Sequence, residues 1–291
     1  MTSDGIVRVW RPAGELAGDF LCVYLESGAG AAHLHEEWQF AVAEFPSAVS
    51  VGGFRRYAAR LGDVTVIPPY QVHSERQGAG PAGWRVLHVA ASVMTRLYRV
   101  PPGKPSTSEP TFSGPVVESA AAAGELRTLL RGSEHGDMTE EFVPRVLVWL
   151  AKFLERHASE SISPPHTRSV ERARTYLRER PTQAVSLPEL VAVAGVSSSH
   201  LARSFSRLVG LPPRSFHAQV RLARARRLLS EGHAATRVAY ECGFADQSHL
   251  NRRFKECYGL TPGVFQAQYL ADRTATVQAK EMLTELDSDA A

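Results

Sequence analysis

SHLARSFSRLVGLPPRSF (Ser199–Phe216) and SHLNRRFKECYGLTPGVF (Ser248–Phe265) are one pattern written twice, 49 residues apart. Ser199/Ser248, His200/His249, Leu201/Leu250, Arg203/Arg252 and Phe205/Phe254 coincide, and so do Gly210/Gly259, Leu211/Leu260, Pro213/Pro262 and Phe216/Phe265. A short apolar-periodic stretch precedes each copy, VAVAGVS and VAYECGFAD. Gly195 and Gly243 suit the left-handed residue that ends a helix. Ser197 and Asp246 suit the N-cap of the next one. Helix, glycine turn and second capped helix make the helix-turn-helix layout. In the second helix, Leu201, Phe205 and Leu208, and equally Leu250, Phe254 and Cys257, recur at helical spacing and are expected to face a core. The opposite face carries Ser198, Ser199, Ala202, Arg203 and Ser206 in one copy, and Gln247, Ser248, Asn251, Arg252 and Lys255 in the other. Such short polar and basic groups suit base edges and phosphates. The plainer alternative is a duplicated hairpin that merely packs; two copies, both basic on the exposed face, argue against it.

PPRSFHAQVRLARARRLLSEG (Pro212–Gly232) joins the copies. Pro213 fits a first helical turn and Gly232 a helix end. Phe216, Val220, Ala223, Leu228 and Leu229 supply an apolar face; Arg221, Arg224, Arg226 and Arg227 supply a basic one. Arg214 to Ser230 would span roughly 25 Å at 1.5 Å per residue. A rod of that length can hold two recognition helices about one DNA turn, roughly 34 Å, apart. One chain would then read two adjacent major grooves of double-stranded DNA.

The charge distribution agrees. The 291 residues carry a net +3, but residues 168–273 hold 17 Lys+Arg against 8 Asp+Glu, a net of +9, leaving −6 elsewhere. A basic block on an otherwise acidic chain is the footprint of a phosphate-binding module, although arginine-rich helices also serve as solvated faces.

RLARARRLLSEG with RVAYECGFADQSHLNRRFKECYGLTPGVF closely resembles the DNA-binding domain of AraC/XylS-type transcription regulators, and the resemblance runs from about Arg168 to Tyr269. It implies promoter binding, with RNA polymerase as a partner if the protein is an activator. By position it carries base-reading roles over to Ser199, Ala202 and Arg203, then Gln247, Ser248, Asn251 and Arg252, with Ser198 and Lys255 beside them. Ser199 and Ala202 are small, so Arg203 should dominate the first groove. His200 and His249 read as structural hydrogen bonders or phosphate contacts, and Cys257 as a small buried hydrophobe.

The N-terminal part is strand-like. DFLCVYLE, WQFAVAEF, DVTVIPP and WRVLHVA are short apolar or alternating runs separated by turn residues. HLHEEWQF sets His33 and His35 on one side of a strand, and GDVTVIPPYQVH ends in His73. These strings resemble the two cupin motifs. Gly62, Pro68 and His73 match the second motif, where Tyr70 replaces the usual glycine and Gln77 the asparagine. In the first, the acidic position falls at Gln39, with Glu37 slightly early. The resemblance implies a small antiparallel barrel acting as a sensor for a small-molecule effector, with His33, His35, Trp38, Tyr70 and His73 lining its pocket. A divalent metal on His33, His35 and His73 is the lesser expectation, because the carboxylate is missing; no cofactor is expected. The alternative from another class is a metal-dependent cupin enzyme fused to a DNA-binding domain. An enzyme is not the leading expectation.

TEEFVPRVLVWLAKFLERHA places Val146, Leu147, Leu150, Phe153 and Leu154 on one face. It resembles the family's dimerisation element, which implies a homodimer; packing on its own barrel is the alternative use of the face. The expected architecture is therefore α+β and multidomain. Residues 1–114 form a cupin-like barrel, 115–160 a helical dimerisation element, 161–168 a linker, 169–273 an all-α domain with two helix-turn-helix motifs, and 274–291 a flexible acidic tail. No run of eighteen apolar residues, no secretory leader and no paired CxxC among Cys22, Cys242 and Cys257 are present, which fits a cytoplasmic protein that does not enter membranes.

Overall fold

A computed structural model describes residues 6–12, 17–26, 31–52, 55–77, 83–98, 109–134, 140–158 and 168–271. The expected acidic tail and all but the last residue of the expected linker lie outside them. The N-terminal part is built of antiparallel sheets. One has six strands in the order β1 (Ile6–Trp10), β2 (Phe20–Glu26), β8 (Gly83–Val89), β3 (Trp38–Ala43), β6 (Asp63–Ile67) and β9 (Val116–Glu118). The other orders β5 (Arg55–Ala59), β4 (Ser47–Val51) and β7 (His73–Gln77). An isolated bridge between His33 and His73, with reciprocal backbone hydrogen bonds of 2.9 Å, ties the segment before β3 to β7.

Strand alternation sorts the larger sheet into two faces. Trp38, Phe40, Val42, Val64, Val66 and Leu87 pack on one side against α2 (Ala120–Glu134) and α3 (Phe142–His157). Trp149 and Phe153 of α3 meet the Phe40 ring edge-on at 5.6 and 5.7 Å. The apolar face that resembled a dimerisation surface is thus occupied by the chain's own sheet. Val148, on the other side of α3, is exposed.

The C-terminal part is helical: α4 (Arg168–Glu179), α5 (Leu187–Ala194), α6 (Ser198–Val209), α7 (Pro213–Ser230), α8 (Ala235–Glu241) and α9 (Gln247–Tyr258), after a short α1 (Ala91–Leu97) that follows β8. Residues 262–271 are again helical. The duplicated signals act as expected. Ser197 and Asp246 each accept the N–H three residues on, from His200 and His249. Gly195 and Gly243 sit at φ 70° and 72°, where a Cβ would be strained. Leu201, Phe205, Leu250, Phe254 and Cys257 are buried. The stripe of α6 differs by one position from expectation: Val209 is buried and Leu208 is 39% exposed. Leu201, Phe205 and Val209 keep an i, i+4, i+8 row, and helix rotation carries Leu208 past its edge.

The β part and the helices share cores. Leu34 and Val72 are buried among Val170, Leu190, Phe205, Phe216 and other side chains of α4–α7. The second face of the large sheet, with Leu21, Ala41 and Trp84, belongs to one buried cluster with Leu222, Leu229, Phe254 and Phe265. Among the described residues no helix is long and apolar enough to cross a membrane.

Candidate functional site

Two surfaces hold chemistry. The first is the pair of outward faces of α6 and α9. Ser198, Ser199, Ala202 and Arg203 are exposed, and so are Gln247, Ser248, Arg252 and Lys255; Asn251 is half-buried. Thr236 Oγ1 donates to Gln247 Oε1 at 2.7 Å, which orients that amide at the start of α9. Among the described residues Arg203 and Arg252 have neither a hydrogen bond nor an ion pair, whereas neighbouring Arg253 pairs with Glu256 at 2.7 Å and Arg237 with Glu241 at 2.5 Å. Two equivalent positions thus keep uncommitted guanidinium groups on exposed helix faces. His200 is exposed. His249 stands edge-on to Phe244 at 5.5 Å and accepts from Ala245 N at 3.5 Å, a structural contact.

Three arginines of α7 behave differently from a solvated basic face. Arg226 is buried and pairs with Glu37. Arg227 binds Glu36 at 3.0 Å and Glu231 at 2.7 Å. Arg221 donates to the Pro181 carbonyl at 2.9 Å. Arg226 and Arg227 pin chain segments together, because Glu37 and Glu36 lie in the segment before β3.

That segment forms the second surface, a seam between the β part and the helices. Gln219 donates to the Ala32 carbonyl at 3.3 Å, and the Tyr258 hydroxyl to the Leu34 carbonyl at 3.4 Å. Behind them four histidines gather. Ring centroids are 4.3 Å apart for His33–His73, 4.9 Å for His35–His73 and 4.7 Å for His35–His88. Three Nδ1 atoms face backbone carbonyls two residues away: His33 to Ala31 at 3.0 Å, His35 to Glu37 at 2.7 Å and His73 to Gln71 at 2.9 Å. In His33 and His73 the Nδ1 therefore carries the proton and donates; both ring nitrogens of His35 face oxygens. Gln39 Nε2 donates to Glu75 Oε1 at 2.9 Å, which turns its Oε1 toward His35 Nε2, 3.1 Å away. His73 Nε2 lies 3.5 Å from Glu75 Oε1, without hydrogen-bond geometry. Burial, together with the neighbouring His73, holds His33 down to about 4, and burial holds His35 and His88 well below the usual imidazole range. Burial opposes ionisation of Glu75, but His73, His33 and the Gln39 hydrogen bond outweigh it and lower its carboxyl.

Of the residues expected to line one pocket, His33, His35 and His73 come together. Trp38 does not join them. It is one residue from Gln39, so it faces the opposite side of β3, against Phe112. Tyr70 lies at the rim with its ring 4.0 Å from the Arg178 guanidinium, and its carbonyl accepts from Arg174 at 3.2 Å. Its φ of +58° is the left-handed conformation, which suits the glycine that cupin motifs carry there. His88 and Glu75 were missed. Glu75 shares a strand face with His73 at the same two-residue spacing as His33 and His35, and His88 pairs with Gln39 in the β3–β8 register.

Next to the histidines is a cavity of about 540 Å³, lined among others by Arg11, Phe20, His88, Arg226, Phe265 and Tyr269. Its acids have cationic partners: Glu37 with Arg226, Glu36 and Glu231 with Arg227, Asp19 with Arg96. Arg11 has no ion pair among the described residues, and its Nε is buried without a hydrogen-bond partner.

Residues 190–268 match the family model described as a helix-turn-helix domain. The chain is 29% identical over 202 residues to YbfI of Bacillus subtilis, named as an uncharacterized HTH-type transcriptional regulator, across 67% of this chain and 71% of that one. Two crystal structures of ToxT from Vibrio cholerae share the fold at 12% identity. An apo variant gives a TM-score of 0.56 over 89% of this chain and 99% of its own. Wild-type ToxT with a bound unsaturated fatty acid gives 0.54 over 93% and 98%.

Proposed function

We propose that this chain is an AraC-type transcription regulator that binds DNA, that α6 and α9 are its two recognition helices and that the seam cavity holds its effector; the helix-turn-helix match and the likeness to an HTH-type regulator support the reading. The observation that carries the DNA reading is the matched pair Arg203 and Arg252, exposed at equivalent positions without an acidic partner among the described residues. A guanidinium can reach guanine O6 and N7 together, a contact worth about 1–3 kcal/mol of base discrimination. Arg221, Arg226 and Arg227 of α7 are spent on internal contacts, so specificity falls to the two helix faces and affinity to phosphate contacts around them.

The cavity supports an effector with an apolar body and one carboxylate. Phe20, Phe265 and Tyr269 supply the apolar wall, and half-buried Arg11, its Nε buried without a partner, supplies a cation that no lining acid pairs with among the described residues. Because Arg226, Arg227 and Ser230 of α7 line the same cavity, occupancy acts on the rod that joins the two helix hairpins. It shifts their arrangement only by its differential affinity for the two states. The cupin-like histidines adjoin this cavity rather than forming its interior.

The test is a thermal-shift series of small carboxylic acids against their neutral amides, on the wild-type chain and on Arg11→Ala. A carboxylate preference of roughly tenfold or more that Arg11→Ala removes supports the reading. Equal response to acids and amides overturns it.

A further inference from the structure

We propose that His33, His73 and Glu75 bind one divalent transition-metal ion of the zinc, nickel or cobalt class, in a site closed by α7 and α9, so that metal binding and docking of the helices on the β part reinforce each other.

The donor set is assembled from β7 and the segment bridged to it at His33, and each of these three residues brings a ligand atom within 4.8 Å of the other two. With the Nδ1 protons of His33 and His73 committed to the Ala31 and Gln71 carbonyls, the Nε2 lone pairs remain. A backbone carbonyl on the far ring nitrogen is the outer-shell arrangement that fixes a metal-binding imidazole. The site's centre is rich in acceptors: these lone pairs, Gln39 Oε1 and the Glu75 carboxylate. Gln39 Nε2, a donor placed among them, is used on Glu75. Acceptors facing each other in a buried space repel, and a buried carboxylate needs a counter-charge. His73 Nε2 is buried without a hydrogen-bond partner and His73 is 1% exposed. One borderline-soft cation on two imidazoles and a carboxylate satisfies these groups together, leaving a fourth position for water, His35 or Gln39. A proton on His73 would satisfy one nitrogen only. The carboxylate missing at Gln39 is supplied by Glu75 from the other sheet.

The site's consequence lies in its lid. His33 belongs to the segment that Gln219 of α7 and Tyr258 of α9 grip through the Ala32 and Leu34 carbonyls, and the Tyr258 ring stands edge-on to His33 at 6.0 Å. An ion that fixes His33 against His73 also fixes those carbonyls. By linkage, metal stabilises the docked arrangement by as much as docking strengthens metal binding.

The experiment uses the full-length chain stripped with chelator and titrated with Zn2+, Ni2+ or Co2+ alone. The expected result is one ion per chain, with a Co2+ absorption spectrum of mixed nitrogen and oxygen ligation. Affinity should fall at least about 100-fold in His73→Ala and in Glu75→Gln, and stay unchanged in His200→Ala. Excess Zn2+ should raise the melting temperature of the wild type by on the order of 5 °C and that of Glu75→Gln by much less. It should also slow amide exchange in α7. Glu75→Gln keeps the size of the side chain and serves where His73→Ala does not fold. No stoichiometric ion, or equal affinity in wild type and Glu75→Gln, overturns the proposal. Metal that binds without slowing exchange in α7 overturns its docking half. The DNA-binding reading is untouched by these outcomes, since no arm uses DNA.

Discussion

Arg226 of α7 and Glu37 of the segment before β3 form an ion pair inside the seam, with the guanidinium side chain only 6% exposed and its face 5.4 Å from the Tyr258 ring. Removing one partner strands the other charge, a loss of about 3 kcal/mol or more. Arg226→Ala should therefore lower unfolding stability by that order in urea titrations. Arg226→Met combined with Glu37→Leu should recover most of it, because an apolar pair of similar volume leaves no orphaned charge. Equal losses in the single and double variants would show that packing, not charge, is what Arg226 contributes.

On DNA, Arg252→Ala should weaken the specific site by about 1–3 kcal/mol, and random sequence much less. Arg203→Ala should do the same at the other half of the site. Competition binding at fixed salt checks both. If specific and random DNA weaken equally, the residue is a phosphate contact, and the slope of affinity against salt should then drop by about one.

Gly259 ends α9 at φ 76°, and a Cβ there would lie 2.9 Å from Val7 Cγ2 of β1. Gly259→Ala should cost about 1–2 kcal/mol for the left-handed backbone and more for the contact. Adding Val7→Ala should return only the contact part. Thermal melts of the two variants separate the contributions and report whether β1 docks on α9 in solution.

Burial pushes the Cys257 thiol up to about 12 and the Cys242 thiol up to about 11. A raised thiol favours the neutral folded form. Its stabilising contribution is thus complete below the unfolded value near 9 and lost as pH climbs toward 11–12. At pH 8 the thiols of the native chain should resist alkylation, and all three cysteines should react once it is unfolded. Rapid labelling of Cys257 in native buffer would contradict its place on the buried stripe of α9.

The helical half was legible because its signals are local. In each copy Leu201, Phe205 and Gly210, or Leu250, Phe254 and Gly259, speak through helical period and turn geometry within ten residues of each other. One slip, Leu208 for Val209, is a rotation of one residue on the same helix. The seam was not legible, because its partners are distant. Arg226 reads as a solvated basic residue until Glu37, 189 positions away, is set beside it. The histidines were found by spacing, but Trp38 was grouped with them against the two-residue alternation that puts Gln39 on their side. That alternation was also the available sign of Glu75.

Leu34 and Val72 are plugs. They come from the β part yet fill a hollow lined by Val170, Phe205 and Phe216 in the first helix hairpin and its neighbours. A C-terminal fragment cut after residue 167 would keep every exposed arginine of α6 and α9 but open that hollow to water. Transplanting these helices onto a foreign sensor is accordingly a matter of carpentry as well as wiring: the new host must bring two apolar side chains of matching size, or the socket must be recut to close over itself.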